Sequence, residues 1–232
     1  MKNIKNIIDS NKYKSAISIL FTAGDLGEKK DIDVFVVGGF VRDLLMDKAL
    51  NDIDLMVVGD GILFAKYLAQ KLGLKKIVPF PKFGTAIIPY RKINIEVASA
   101  RTEIYSGDSR KPSKVVYTDL EGDLSRRDFT INSMAMGIRP SCFGDLTDPF
   151  NGEEDIRNKV LRTPLDPDET FSEDPLRMMR AAYFSSKLNF KIDQNTLNSI
   201  KKTSHRIKIV SSERIRDEFI KILNTDKPSI GI

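Results

Sequence analysis

The chain has 232 residues, 41% of them hydrophobic and 30% charged, enough for one sizeable core or two small ones in a soluble globular protein. Thirty-seven Lys and Arg against thirty-two Asp and Glu leave a formal charge of +5, which suits a polyanionic partner such as RNA and equally suits a plain solubilising surface. One cysteine, Cys142, and one histidine, His205, exclude an internal disulfide framework, a multi-cysteine zinc site and a histidine-pair metal site, and a single thiol fits a reducing cytoplasm.

The first residues break up their apolar positions with polar ones and carry no small-residue cleavage site, so neither a signal peptide nor a membrane span is expected and the protein should stay inside the cell. Residues 4–23 space their apolar side chains as a helix does. A short β-branched strand over 33–37 runs into Gly38-Gly39, and a helical pattern resumes over 41–46. A second strand over 53–58 closes on Gly59-Asp60-Gly61 and is followed by a helix over 62–72. Extended runs follow near 76–80, 85–89 and 93–99, an order that suggests an α+β sheet layered with helices. Residues 105–125 lack apolar periodicity and cluster turn formers around Gly107 and Pro112, which predicts a long mobile loop, functional or merely inserted. Residues 129–138 look helical, 145–162 alternate turn signals with short apolar pieces, and from 173 onward the pattern is mainly helical. A boundary near 165–171 divides a first domain, 1–168, from a second, 169–232.

Side chains alternate faces along a strand, so Asp52 and Asp54 share one. Two carboxylates this close repel unless a cation sits between them, and such oxygen ligands suit Mg²⁺, which keeps waters and binds substrate phosphates as well. A metal site of that kind activates a 3′-hydroxyl and neutralises a leaving pyrophosphate. A bare Asp-x-Asp is common, and alone it is more often a solvated strand end. Its context is more telling: a Gly38-Gly39 turn opening a helix offers backbone amides to a phosphate, and Arg42 adds a charge-assisted contact. Glu96, on the 93–99 strand with Ile95 and Val97 on the opposite face, either completes a three-carboxylate site or is an edge-strand glutamate.

Val37-Gly-Gly-Phe-Val-Arg-Asp-Leu-Leu45 followed by Asn51-Asp-Ile-Asp-Leu55 resembles the nucleotidyltransferase signature of the class II tRNA CCA-adding enzymes and the related bacterial poly(A) polymerases. Arg126-Arg-Asp-Phe-Thr-Ile-Asn132 resembles a second motif of that family and Glu173-Asp-Pro-Leu-Arg-Met-Met-Arg180 a third. Similarity extends through Asp148-Pro-Phe-Asn-Gly152 and Ser211-Ser-Glu-Arg-Ile215, so it covers nearly the whole chain. The resemblance implies a polymerase-β-like head of mixed sheet and helices followed by an all-α neck. It further implies that Asp52 and Asp54 bind catalytic Mg²⁺, with Glu96 beside them. Gly38, Gly39, Arg42, Asp43, Arg126, Arg127, Asp128 and Asn132 would then hold the triphosphate and sugar. Asp174 and Arg177 would act as a protein template for the incoming base. On one helix, residues three apart share a face, so a carboxylate and a guanidinium there can meet one base edge. The competing account of 173–180 is an N-terminal helix cap with Ser172 as the capping residue and acids in the first turn. Arg180 would also face the nucleotide, although relatives often carry a further arginine where this sequence has Tyr183, which cannot neutralise phosphate.

The implied substrates are CTP, ATP and the 3′ end of a tRNA, with a loop entered by Arg101, Glu103 and Tyr105 reshaping the pocket between C and A addition. The lysines and arginines of 201–216 are solvated faces or contacts to the tRNA backbone, and His205 is an ordinary helix or surface residue. Poly(A) synthesis, addition of only C or only A, and a catalytically silent RNA-binding module remain as alternatives, the last opposed by the intact Asp52, Asp54, Arg42 and Asp174. Relatives usually continue into further helical regions that grip the tRNA, some with a phosphohydrolase domain. A chain ending at Ile232 is therefore expected to be either part of a longer one, binding tRNA more weakly than that, or a minimal version.

Overall fold

The computed structural model describes residues 2–8, 13–50, 52–91, 93–104 and 114–232. In chain order the N-terminal elements are β1 (Lys2–Asn3), α1 (Lys5–Ile8), α2 (Lys14–Lys30), β2 (Val34–Val37), α3 (Gly39–Leu45), β3 (Ile53–Val57), α4 (Gly61–Lys71), β4 (Val78–Phe80), β5 (Thr85–Tyr90) and β6 (Ile93–Ser99). They continue as β7 (Arg101–Ile104), β8 (Lys114–Tyr117), α5 (Leu120–Ser125), β9 (Ala135–Gly137) and β10 (Asp145–Thr147). The remainder is α6 (Gly152–Asn158), β11 (Val160–Leu161), α7 (Pro167–Glu173), α8 (Leu176–Leu188), β12 (Lys191–Ile192), α9 (Gln194–Thr203) and α10 (Ser212–Leu223). Two compact units result, Met1–Thr102 with Val115–Leu124 and Asn132–Pro149, and Glu103–Lys114 with Ser125–Ile131 and Phe150–Ile232.

Among the described residues, eight strands of the first unit form one sheet in the order β1-β10-β9-β2-β3-β6-β5-β4. Every pairing is antiparallel except β3 with β6. The central strands are β-branched and apolar because they are covered: Val34, Val36, Leu55, Met56, Val57 and Val97 are fully buried. Helices α2 and α4 pack on this sheet and on each other, α4 starting from Asp60, whose carboxylate accepts the Leu63 N–H at 2.9 Å. Close approach of α2 to the chain after β9 requires Gly24, since a Cβ there would lie 1.8 Å from the Ile138 carbonyl oxygen.

The second unit is mainly helical. Phe129, Phe171, Phe184, Leu161 and Ala181 are buried in it, with the Phe129 and Phe184 rings edge to face at 5.9 Å. Asp166 and Asp193 cap α7 and α9, each accepting two N–H groups of the first turn. Strand β12 interrupts the helices of the C-terminal part and pairs in parallel with β11.

The strands expected over 33–37, 53–58, 76–80, 85–89 and 93–99 and the helices over 41–46 and 62–72 are present to within a few residues. The segment 4–23 holds α1 and the first part of α2, with residues 9–12 outside the described ones. Two expectations are corrected. Residues 129–138 form a 3-10 turn over Thr130–Asn132 and then strand β9, not a helix. The expected loop over 105–125 contains β8, paired with β7, and α5, while 105–113, including Tyr105, lie outside the described residues. Among the described residues no helix is long and apolar enough to cross a membrane.

Candidate active site

Sheet topology gathers the first group of candidate residues. Strand β2 runs antiparallel to β3 and β9, and β3 runs parallel to β6. The C-terminal end of β2 and the N-terminal ends of β3, β6 and β9 therefore lie along the same edge of the sheet. Chain order puts Gly38-Gly39, Asp52 and Asp54, Glu96, and Asn132 at that edge. Gly38 has φ +67°, a left-handed conformation that favours glycine, and donates its N–H to the Met134 carbonyl at 3.1 Å, so the turn is anchored to the start of β9. Helix α3, which follows, is only seven residues long, so it offers an anion the amides of its first turn, from Gly39 onward, rather than a long helix dipole.

Asp52 is exposed just ahead of β3, and its Oδ1 accepts the Asn94 N–H at 3.3 Å. Asp54 is half-buried on β3 and is the register partner of the exposed Glu96 on β6. Register partners in parallel strands point to the same face, so Asp54 and Glu96 stand side by side about 4.8 Å apart along the hydrogen-bonding direction. Among the described residues no group of three Asp, Glu, His or Cys is placed to cage an ion. The donor set fits Mg²⁺, which one or two carboxylates suffice to bind; Asp52 and Asp54 would hold it and it would supply charge neutralisation for phosphates.

Arg42, expected at the triphosphate, is held by protein partners at this edge. It is 4% exposed and its Nε and Nη2 grip Asp43 at 2.8 and 2.9 Å, while Nη1 donates to the buried Asn132 Oδ1 at 2.6 Å. The guanidinium ties α3 to the segment leading into β9. Asn132 and Asp43 are thus its partners. Asn51 lies outside the described residues.

The second group lies in the helical unit. Asp128 is 8% exposed, accepts the Phe129 N–H at 2.9 Å through Oδ1, and accepts Arg180 Nε at 2.7 Å and Nη2 at 2.6 Å through Oδ2. The Asp128 charge holds the Arg180 guanidinium well above its ordinary pKa, and Arg180 also lies over the Phe184 ring at 5.2 Å. Arg177 is 9% exposed, with Nη1 on the Thr170 carbonyl and the Glu173 carboxylate at 3.2 Å each and Nη2 on the Arg126 carbonyl at 2.6 Å. These bonds fix the plane of a group with five N–H donors and leave others for a ligand. Arg126 and Arg127 are half-buried.

Asp174 is not on a helix with Arg177. It ends α7 in extended conformation, φ −135° and ψ 98°, and its Oδ1 accepts the Leu176 N–H at 3.2 Å at the start of α8. The shared-face argument therefore fails, and contact is made otherwise: the Arg177 N–H donates to the Asp174 carbonyl at 3.0 Å. Ser172 sits inside α7, which Asp166 caps, and α8 has Pro175 at its N-cap position, with the Asp174 carboxylate accepting the Leu176 N–H just ahead of it. Arg214, one of the 201–216 cations expected as solvated faces or tRNA-backbone contacts, has its Nη2 3.7 Å from Asp174 Oδ2, a pairing that the sequence did not indicate.

Comparison with known proteins gives the family. Residues 34–162 match the family model described as "Poly A polymerase head domain", and residues 189–232 match "Probable RNA and SrmB- binding site of polymerase A". A CCA-adding enzyme of Lactobacillus helveticus is 38% identical over 211 residues, covering 90% of this chain and 50% of the relative. An A-adding tRNA nucleotidyltransferase of Geobacter sulfurreducens is 34% identical over 230 residues, covering 98% of this chain and 26% of the relative. The solved structure of the Thermotoga maritima CCA-adding enzyme complexed with tRNA superposes with a TM-score of 0.86 at 30% identity, covering 99% of this chain and 52% of that one. The chain thus spans about half, or less, of the length of the relatives it matches.

Proposed function

Because the chain belongs to the family of class II tRNA nucleotidyltransferases and bacterial poly(A) polymerases, whose head domain it carries, we propose that it adds C and A to the 3′ end of tRNA from CTP and ATP. The observation that carries this is the sheet edge where Asp52 and Asp54 stand beside the Gly38-Gly39 turn with Glu96 in register next to Asp54. In the reaction the tRNA 3′-oxygen attacks the α-phosphorus, the bond to the β-phosphate oxygen breaks, and pyrophosphate leaves. Magnesium held by Asp52 and Asp54 would neutralise charge on the phosphates and favour the 3′-alkoxide. The Gly39 amide would orient the triphosphate, the Gly38 N–H being held by the Met134 carbonyl. Glu96, the exposed carboxylate beside Asp54, is assigned to take the 3′-hydroxyl proton.

Division by role follows the chain, a head over 1–168 doing the transfer and a neck over 169–232 choosing the base. Asp174 and Arg177 are the assigned base readers. Arg177 is rigid through three hydrogen bonds and retains free donor capacity, and Asp174 is fixed by the Leu176 N–H and Arg214. Arg126 and Arg127 supply positive charge for the triphosphate, and Asp128 and Arg180 set the shape of that segment. A reading in which only A is added is favoured by the likeness to the Geobacter sulfurreducens A-adding enzyme.

The test supplies the purified chain with Mg²⁺, labelled CTP and ATP and tRNA lacking its 3′ end, and resolves products on a denaturing gel. Three added residues support CCA addition. A single A on tRNA ending in CC and nothing on shorter ends would assign A addition, a long A-tail would assign poly(A) synthesis, and activity equal to that of Asp52→Ala would reject catalysis.

A further inference from the structure

The α8–α10 pair carries a feature that the reaction chemistry does not use. A cleft of about 310 Å³ is lined by Tyr183 and Lys187 of α8, Lys221 of α10, and Asn224, Thr225 and Asp226 just beyond it. Tyr183 and Lys187 are four residues apart and share a helix face, with the Lys187 Nζ 5.4 Å from the centre of the Tyr183 ring. Lys221 is fixed at 2.7 Å by Oε1 of Glu218, a carboxylate only 5% exposed whose Oε2 has no hydrogen-bond partner among the described residues.

We propose that this cleft seats one nucleotide of an RNA strand, its base stacked on Tyr183 and its flanking phosphates held by Lys187 and Lys221. An aromatic ring beside two ammonium groups is the combination by which proteins hold single-stranded nucleic acid: the ring takes any base face and the cations track the backbone. The cleft volume is at the small end of the range of about 300–1,000 Å³ for ligand pockets, right for one nucleotide and too small for several. Charge discriminates between the two sources of a nucleotide. Lys187 and Lys221 are offset by Glu218 and Asp226, so the cleft has little net charge to attract a free triphosphate. A strand residue brings about one charge per phosphate and remains tethered by its neighbours. Asn224 and Asp226 then offer a donor and acceptors to the edge of the base. The lysine over the ring is exposed and loosely held, free to exchange the ring for a phosphate as a base slides in.

The inference rests on the protein acting on RNA, and its test reads binding separately from catalysis. Fluorescence anisotropy with end-labelled tRNA lacking its 3′ end gives affinity for the wild-type chain, Tyr183→Ala, Tyr183→Phe and the Lys187→Gln/Lys221→Gln double variant, with thermal unfolding of each. Tyr183→Ala should weaken binding about tenfold and Tyr183→Phe should restore it, as one stacked base requires. The double variant should flatten the slope of log affinity against log salt by about 1.4, two single-strand phosphates. In incorporation kinetics the KM for tRNA should rise and those for CTP and ATP stay within twofold. Unchanged RNA affinity and salt slope, loss in Tyr183→Phe equal to that in Tyr183→Ala, or a rise in nucleotide KM alone would overturn the proposal. If Tyr183→Ala proves unstable, the exposed lysines decide by the salt slope. Binding losses as predicted in a chain that incorporates nothing would keep the cleft and reject the proposed reaction, and incorporation with no binding change would do the reverse.

Discussion

Arg42 is held among protein partners at the sheet edge. A nearly buried guanidinium holding Asp43 and Asn132 is a strut, and removing it strands two polar partners. Arg42→Met should cost about 3 kcal/mol and lower Tm by roughly 6–12 °C. Calorimetry beside steady-state kinetics checks this: an unchanged Tm with a raised nucleotide KM would instead make Arg42 a phosphate contact. Asp54→Asn should behave in the opposite way, losing on the order of 1,000-fold in kcat while Tm changes little, because the carboxylate is half-exposed and the substitution keeps its size. The acidic pair, the glycine turn and the proposed base readers Asp174 and Arg177 were all legible at this scale as types and spacings. Their partners were not, since Asn132 meets Arg42 across 90 residues and only the sheet order brings them together. Asp174 is an instructive case. Pro175 follows it, and the residue before proline is pushed to extended backbone, so its place outside the helix was written in the sequence and overridden by the apparent helical spacing of 173–180.

At the scale of elements, α7 is held to α9 by Asp168, which accepts hydrogen bonds from the Ser199 hydroxyl and the Lys202 ammonium. The Lys202 and Ser199 hydrogen bonds put Asp168 below the usual carboxylate range, and Asp168 in turn raises Lys202. A lowered folded pKa means stability that is fully present above the unfolded value of about 3.9 and lost as pH falls through the folded value. The raised Lys202 contributes below its unfolded value of about 10.4 and loses that contribution as pH climbs through its folded value. The Tm gap between the wild type and Asp168→Asn should therefore be open at pH 6 and close below about pH 4, with added salt narrowing it throughout. A gap independent of pH would assign the contact to packing. Alternation and apolar runs located the strands β2, β3, β5 and β6 well. They failed over 129–138, where every residue from Phe129 to Ile138 but none of its neighbours' polarity marks a face: the whole segment is buried, so no side is left polar to reveal a period of two. They failed also over 114–125, because β8 exists through pairing with β7, a tertiary contact that local composition does not encode.

At the scale of the molecule, the carboxylates and the glycine turn belong to the sheet unit and the proposed base readers Asp174 and Arg177, with the Tyr183 cleft, to the helical unit. Chemistry and choice of nucleotide are therefore separable by mutation. Arg177→Lys keeps a charge but gives up the planar fork that binds Thr170, Glu173 and Arg126, and it should relax discrimination against GTP and UTP by about tenfold or more while the Asp52 and Asp54 step survives. Competition between labelled nucleotides measures that ratio; unchanged selectivity with uniformly lower kcat would place Arg177 with the structural groups. The α+β layering was legible from the order of strands and helices, and three motifs in sequence order identified the family before any contact was known. The measurement that bears most directly on the central claim is pyrophosphate released per tRNA end in Mg²⁺ with CTP and ATP, for the wild type and Asp54→Asn. One pyrophosphate for each nucleotide added, abolished by Asp54→Asn, is the predicted result, and release that is absent from the wild type or undiminished in Asp54→Asn would contradict it.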